Sequence, residues 1–363
     1  MGTMIFPGRY VQSPSALKRL GEEVKRFGKK AFFICGGFFY RNILKEYRDV
    51  IEKSIEIETE LFGGECCDEE IERLVDIANK SGCEMIVGAG GGKTLDTAKA
   101  VAHIMELPVG IIPTIASTDA PCSAIAVVYT KEGTFKRYMR LLRNPDLVLV
   151  DTTVIAKAPV RFFVSGMGDA LATWFEAESC MINHAPNMSG DVGTQSAYSL
   201  AKLCYDTLLE YGIPAKLACE NSVVTPALEH IVEANVLLSG LGFESGGLAA
   251  AHAIHNGLTV LEETHNAYHG EKVAFGTLAS LFLTDRPFRI IDEVYNFCLE
   301  VGLPVTFKDI GIDEPTDKKL MKVSEAACAE GETIHNEPKK IIPEDVFAAL
   351  KLADAEGRKR KGL

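Results

Sequence analysis

Between residues 30 and 151 the chain alternates short apolar runs with amphipathic stretches, and this alternation restricts its fold more than any other feature. Lys30-Ala31-Phe32-Phe33-Ile34-Cys35 has the pattern of a buried strand and stops at Gly36-Gly37. Residues 57–62, 84–88, 109–113 and 147–151 read as further strands. Between them, residues 68–78 repeat their apolar positions at helical spacing, with acids in the first turn where the helix dipole favours them. Residues 95–103 form a second such stretch. Buried strands separated by helices pair as a parallel sheet with helices on both faces. Residues 125–130 and 135–142, around Lys131-Glu132-Gly133-Thr134, read as a β-hairpin.

The pattern changes after Pro159. From Phe162 onward helical periods dominate, at about residues 169–182, 194–211, 226–241, 248–255, 271–283, 290–301, 317–329 and 343–355. A length of 363 residues exceeds one ordinary core. Two domains follow: a Rossmann-like α/β domain over 1–160 and an all-α domain over 161–363, with no long linker. The net charge of −12 argues against nucleic-acid and anionic-membrane partners. No apolar run is long enough to span a bilayer and no signal-peptide pattern opens the chain, so a cytoplasmic protein is expected. The 10 cysteines are scattered, without a Cys-x-x-Cys pair, which suits buried thiols better than a disulfide framework or a thiolate zinc site.

Three stretches carry chemistry. Gly88-Ala89-Gly90-Gly91-Gly92-Lys93-Thr94-Leu95-Asp96 joins a strand to a helix, where glycines let backbone amides approach a phosphate. It fits neither the Walker A spacing, which would need glycine at Val87, nor G-x-G-x-x-G, which would need glycine at Lys93. A pyrophosphate cradle of another design is expected. The second stretch, from Pro113 to Ser123, follows the end of a strand, where ligands of open α/β sheets sit. Its hydroxyls suit a ribose or phosphate, and Asp119 suits a substrate hydroxyl; an ordinary capped loop has the same composition. The third, residues 246–276, holds His252, His255, His265 and His269, half of the chain's 8 histidines. His252 and His255, three apart, share a helix face, with Asn256-Gly257 as a plausible C-cap and His269-Gly270 opening the next helix. Imidazoles with one carboxylate suit a borderline divalent cation. Asp169, which reads as the N-cap of its helix, supplies that carboxylate by charge balance.

Together, Gly-Gly-Gly-Lys-Thr-Leu-Asp-Thr-Ala-Lys, Pro-Thr-Ile-Ala-Ser-Thr-Asp-Ala-Pro, Gly-Met-Gly-Asp-Ala-Leu-Ala-Thr-Trp-Phe-Glu-Ala and Ala-Ala-Ala-His-Ala-Ile-His-Asn-Gly resemble the iron- and zinc-dependent alcohol and polyol dehydrogenases. The match runs over nearly the whole chain. The resemblance implies a dehydroquinate-synthase-like fold and NAD-dependent oxidation of glycerol to dihydroxyacetone, assisted by zinc, in a homo-oligomer. It places the metal on Asp169, His252 and His269. It places the cofactor on Gly91, Gly92, Lys93, Thr94 and Asp96, on Thr114, Ser117 and Thr118, and along Ser123, Ile125 and Tyr129. Asp119 would hold substrate, and His255, one turn along its helix from His252, would offer a route for the proton. Two departures stand out. Iron-type relatives carry a histidine four residues after the metal-binding Asp, where this chain has Thr173; that suits a zinc site with open positions for a diol. Many relatives carry an acid after the first strand for the ribose of adenosine; here Gly36-Gly37 stand there, with Arg41 nearby to tolerate a 2′-phosphate. The competing readings are a related metal-dependent reductase of a polyol or hydroxyketone, and a nucleotide-binding protein without redox chemistry. A lyase of the dehydroquinate synthase type would need Lys and Arg around the metal, and residues 246–276 supply only Lys272.

Overall fold

The computed structural model describes residues 1–363, in two compact units. The first comprises Ile5–Ala158 with Ala218–Gly240; the second comprises Met1–Met4, Pro159–Leu217 and Leu241–Leu363. The chain therefore crosses between units at more places than the single boundary near residue 160 expected from the change of pattern. Glu229 shows why residues 218–240 group with the α/β unit. Its carboxylate accepts hydrogen bonds from Gln12 Nε2 at 2.8 Å and from the Thr152 hydroxyl, tying the Pro226–Glu233 helix to the first strand and to the end of the last.

In chain order the strands are β1 (Tyr10–Ser13), β2 (Lys30–Cys35), β3 (Glu56–Leu61), β4 (Met85–Gly90), β5 (Val109–Pro113), β6 (Ile125–Tyr129), β7 (Phe135–Arg140) and β8 (Leu147–Asp151). Six form a parallel sheet in the order β1-β8-β5-β4-β2-β3, and β6 and β7 form the antiparallel hairpin. The inner strands β2, β4, β5 and β8 are buried on both faces, as the interior of a parallel sheet must be, while the edge strands β1 and β3 are partly exposed. One face meets Leu17, Leu20, Val24 and Ile51. On the other, Gly88 lets the Gly92–Ile104 helix approach, since a Cβ there would stand 2.5 Å from Ala98 Cβ. Successive connections run one way from β2 to β3 and the other way from β4 to β5. The order reverses between β2 and β4, the place where open α/β sheets form their ligand crevice. Strand β1 and the helical turns over residues 16–27 and 37–52 were not among the expected elements; the four-residue β1 is defined by its register on β8, whereas Leu44, Tyr47 and Ile51 do stand at helical spacing and pack against the core.

Three helices of the helical unit run past their expected boundaries. The helix expected from residue 169 spans Val160–Asn183, so Asp169 sits mid-helix and Pro159 occupies the N-cap position. The one expected to end at residue 211 continues as Gln195–Glu220, through Pro214. The His252 helix is Ala250–Leu258, and Asn256-Gly257 continue it rather than cap it. The glycines that suggested breaks are points of close approach. A Cβ at Gly257 would stand 2.4 Å from the Val323 carbonyl oxygen, and one at Gly168 would stand 2.3 Å from that of Gly270. No helix is long and apolar enough to cross a membrane. All ten cysteines are free thiols, nine of them buried.

Candidate functional site

Three helices of the second unit deliver one ligand atom each. Asp169 lies on Val160–Asn183, His252 on Ala250–Leu258, and His269 opens His269–Leu283. The donor atoms of the three lie within 4.8 Å of one another. His269 Nε2 is 3.0 Å and His252 Nε2 3.5 Å from Asp169 Oδ1, so both imidazoles present Nε2 to the same point. Small residues make this convergence possible. A Cβ at Gly270 would stand 1.8 Å from the Ser165 carbonyl oxygen, so the Asp169 and His269 helices meet backbone to backbone.

The electrostatics follow from that crowding. Burial by itself would raise the Asp169 carboxyl, but His269 and the hydrogen bonds from both imidazoles carry it well below the usual carboxylate range. For His252, burial favours the neutral ring, yet Glu176 and Asp169 outweigh it and hold the ring well above its ordinary value. The His255 ring is pushed well below its ordinary value by burial, then by His269, Lys272 and His252.

Each imidazole of the cluster has a partner behind it. Glu176, two turns after Asp169 on the same helix, accepts from His252 Nδ1 at 2.6 Å and from the backbone amides of Ala249 and His252, each at 2.9 Å. A carboxylate behind a ligating imidazole fixes its tautomer and leaves Nε2 for the metal. Sequence reasoning missed Glu176; the signal was a spacing of seven residues from Asp169, which returns to the same helix face. His269 Nδ1 lies 3.1 Å from His255 Nε2, and His255 Nδ1 lies 3.1 Å from Asn256 Oδ1. Asn256 Nδ2 donates to Glu332 at 2.9 Å. The turn before His269 is clamped by Arg161, which binds both oxygens of Glu271 at 2.6 and 2.8 Å and lies over the Tyr268 ring. Of the four grouped histidines, His265 does not join the site: it is exposed, and its Nε2 lies 3.1 Å from the Thr259 carbonyl oxygen. Thr173 is buried, with its methyl packed where a Cβ on Gly242 would collide with it.

The glycine-rich stretch occupies the ends of β4 and the next helix in the α/β unit. Gly91 is the N-cap of Gly92–Ile104, no side chain caps that end, and a Cβ on Gly92 would meet nothing within 4 Å. A thirteen-residue helix thus opens with uncapped amides toward free space, an arrangement suited to a pyrophosphate. Thr94 is buried beside Gly90, and the Thr114 amide donates to the Gly90 carbonyl at 2.9 Å. Lys93 pairs with Glu65 and lies 4.9 Å from the centre of the Tyr129 ring. Asp96 turns inward: its Oδ1 forms an ion pair with Lys99 Nζ at 2.9 Å, and its Oδ2 accepts from the Val127 amide at 3.1 Å. Lys99, completely buried, also donates to the carbonyl oxygens of Ala120 and Ile125, and its Nζ lies 3.4 Å from Ser123 Oγ. The Ser123 hydroxyl is buried in that network, while Ser117, Thr118 and Ile125 stay partly exposed. Asp119, in the same unit, accepts a hydrogen bond from the Ser239 hydroxyl at 2.8 Å.

The comparisons with known proteins agree with this geometry. The family model for iron-containing alcohol dehydrogenase matches residues 7–152. A glycerol dehydrogenase of Thermotoga maritima is 62% identical over 361 residues, covering 99% of each chain. The crystal structure of glycerol dehydrogenase from Schizosaccharomyces pombe superposes with a TM-score of 0.95 at 38% identity, covering 100% of this chain and 93% of that one. That of a probable glycerol dehydrogenase from Sinorhizobium meliloti 1021 gives 0.91 at 45% identity, over 99% and 100% of the two chains. The chain belongs to the iron-containing alcohol dehydrogenase family. It is an oxidoreductase, built from a parallel-sheet α/β unit and a largely helical remainder.

Proposed function

We propose that the enzyme interconverts glycerol and dihydroxyacetone, with NAD as the hydride carrier and zinc as the resident cation. The observation that carries this reading is the donor set: one buried carboxylate and two imidazoles within 4.8 Å, with a carboxylate behind His252. Three protein ligands of this kind suit zinc with a position left for substrate. Thr173 in place of a fourth ligand fits the same count, and the glycerol dehydrogenase names of the relatives supply the substrate. Gly91, Gly92, Lys93, Thr94, Thr114, Ser117 and Thr118 would hold the dinucleotide, and Asp119 would accept from a substrate hydroxyl.

A cation in this site supplies Lewis acidity that makes a bound hydroxyl more acidic, and the nicotinamide supplies the acceptor for hydride. The chain's own residues prepare that chemistry. The Asp169 charge offsets the cation, and Glu176 keeps the His252 proton on Nδ1. Were a cation held by His269 Nε2, the ring proton would sit on Nδ1 and be donated to His255 Nε2. His255 in turn keeps its proton on Nδ1 and donates it to Asn256. In this reading His255 orients His269, and its depressed basicity suits the neutral form the chain of bonds requires.

The test is a chelator-stripped preparation reconstituted with zinc or with ferrous iron, assayed by NADH absorbance with glycerol, beside Asp169→Ala and His252→Ala. Turnover should vanish on stripping and in both variants, and return with zinc. Near-normal kcat in metal-free protein would overturn the reading.

A further inference from the structure

We propose that the adenosine end of the dinucleotide site admits a 2′-phosphate, so that the enzyme takes NADP as well as NAD, with Arg41 as the residue that binds the extra phosphate. The proposal rests on the dinucleotide reading above.

The crevice at the reversal of strand order lies at the carboxyl ends of β2 and β4. Strand β4 leads into the uncapped helix end suited to a pyrophosphate. Strand β2 ends at Cys35 and runs into Gly36-Gly37. A Cβ built on Gly36 would stand 3.1 Å from Thr94 Oγ1 and 3.4 Å from Gly90 Cα, so the end of β2 abuts that cradle. The neighbouring β3 pairs Leu61 with Cys35 and is followed by another glycine pair, Gly63-Gly64.

Dinucleotide folds select NAD with a carboxylate at the end of this strand, which binds the ribose hydroxyls and repels a phosphate there. Here both positions lack a side chain, and a cation replaces the anion. Arg41, on the helical turn Phe39–Ile43, folds back over Gly37. A Cβ on Gly37 would stand 2.8 Å from Arg41 Nη2 and 3.2 Å from Nη1. Gly37 therefore makes the room that the guanidinium occupies. No residue of the protein forms a hydrogen bond or ion pair with that guanidinium, which leaves its planar fork for a ligand. The acids closest along the sequence, Glu46 and Asp49, form no ion pair with it, while Glu52 pairs with Arg48 and Glu65, beyond the end of β3, with Lys93. Guanidinium and phosphate are matched in charge and in bidentate geometry.

Binding of adenosine 2′,5′-bisphosphate and of 5′-AMP to the zinc-loaded enzyme tests this without turnover. The wild type should bind both, favouring the bisphosphate. In Arg41→Ala the ratio of the two affinities should shift against the bisphosphate by roughly ten- to a hundredfold, the loss expected for one charge-assisted bidentate contact. Gly37→Asp should shift the ratio the same way, by placing a carboxylate beside Arg41. The ratio of kcat/KM for NADP over NAD should follow. A wild type that does not bind the bisphosphate, or a ratio unmoved by Arg41→Ala, overturns the proposal. Absence of turnover with either cofactor, while the binding ratio shifts as stated, instead counts against the reaction proposed above and leaves the phosphate subsite standing.

Discussion

Replacing Glu176 by Gln separates the ligand set from what holds it. The substitution keeps size and removes one charge from a fully buried position. Two backbone amides, those of Ala249 and His252, point at Oε1 from 2.9 Å each. A glutamine retains them only by keeping its carbonyl oxygen there, and this turns its NH2 group toward His252 Nδ1. That nitrogen, 2.6 Å from Oε2 in the native protein, must then accept rather than donate. A neutral ring that accepts at Nδ1 carries its proton on Nε2, the atom the cation needs. Ligation therefore requires either breaking the new bond or giving up the backbone pair. A hydrogen bond to a charged group contributes about 1.5–3 kcal/mol, and loss of such a partner commonly weakens metal binding by roughly ten- to a hundredfold. The two scales agree, since a factor of ten is about 1.4 kcal/mol. The zinc Kd of Glu176→Gln, from competition with a chelator of known affinity, is expected to rise by that factor while circular dichroism stays native. A Kd within about threefold of wild type would refute the tautomer argument, because no other protein group faces His252 Nδ1.

Three further outcomes are expected. Lys99→Met removes a buried ammonium from beside buried Asp96 and from the carbonyls of residues 120 and 125. It should cost about 3–5 kcal/mol in denaturant unfolding of the α/β unit and raise the dinucleotide KM without loss of zinc; unchanged stability would contradict the role given to that network. Gly270→Ala places a methyl 1.8 Å from the Ser165 carbonyl. It should force the Asp169 and His269 helices apart, lowering stability by about 1–3 kcal/mol or more and lowering zinc content; a normal metal content would show that the helices can slide. Asp68 is held well below the usual carboxylate range by hydrogen bonds from Arg137 and Lys136. A depressed carboxyl stabilises above its unfolded value of about 3.9 and loses that contribution as pH falls below it. The stability difference between wild type and Asp68→Asn should therefore be present at neutral pH and shrink under acid, measured by thermal unfolding across pH.

The parallel sheet was legible because a buried strand must be apolar on both faces, so residues 30–35, 84–88, 109–113 and 147–151 announce themselves whatever their partners. The candidate metal ligands were legible for a different reason. An acid and imidazoles amid alanines and glycines are chemically conspicuous, and the family motifs carry their positions. The glycine at 257 misled, because a glycine inside a helix and one at its end look alike in sequence. Only the neighbour that approaches it decides, and for Gly257 that neighbour is Val323, sixty-six residues on.

What the sequence by itself determined was the set of local preferences and reactive groups: which segments bury themselves, where the chain turns, which side chains bind cations or phosphate. Tertiary structure alone decided which of those groups meet. His269 converges on His252 and His255 while His265 does not, Glu176 stands behind His252, and Lys99 reaches the carbonyls of residues 120 and 125. Each of these depends on distances between residues far apart in the chain, set by how closely backbones pack, and no local rule of composition or spacing contains that information.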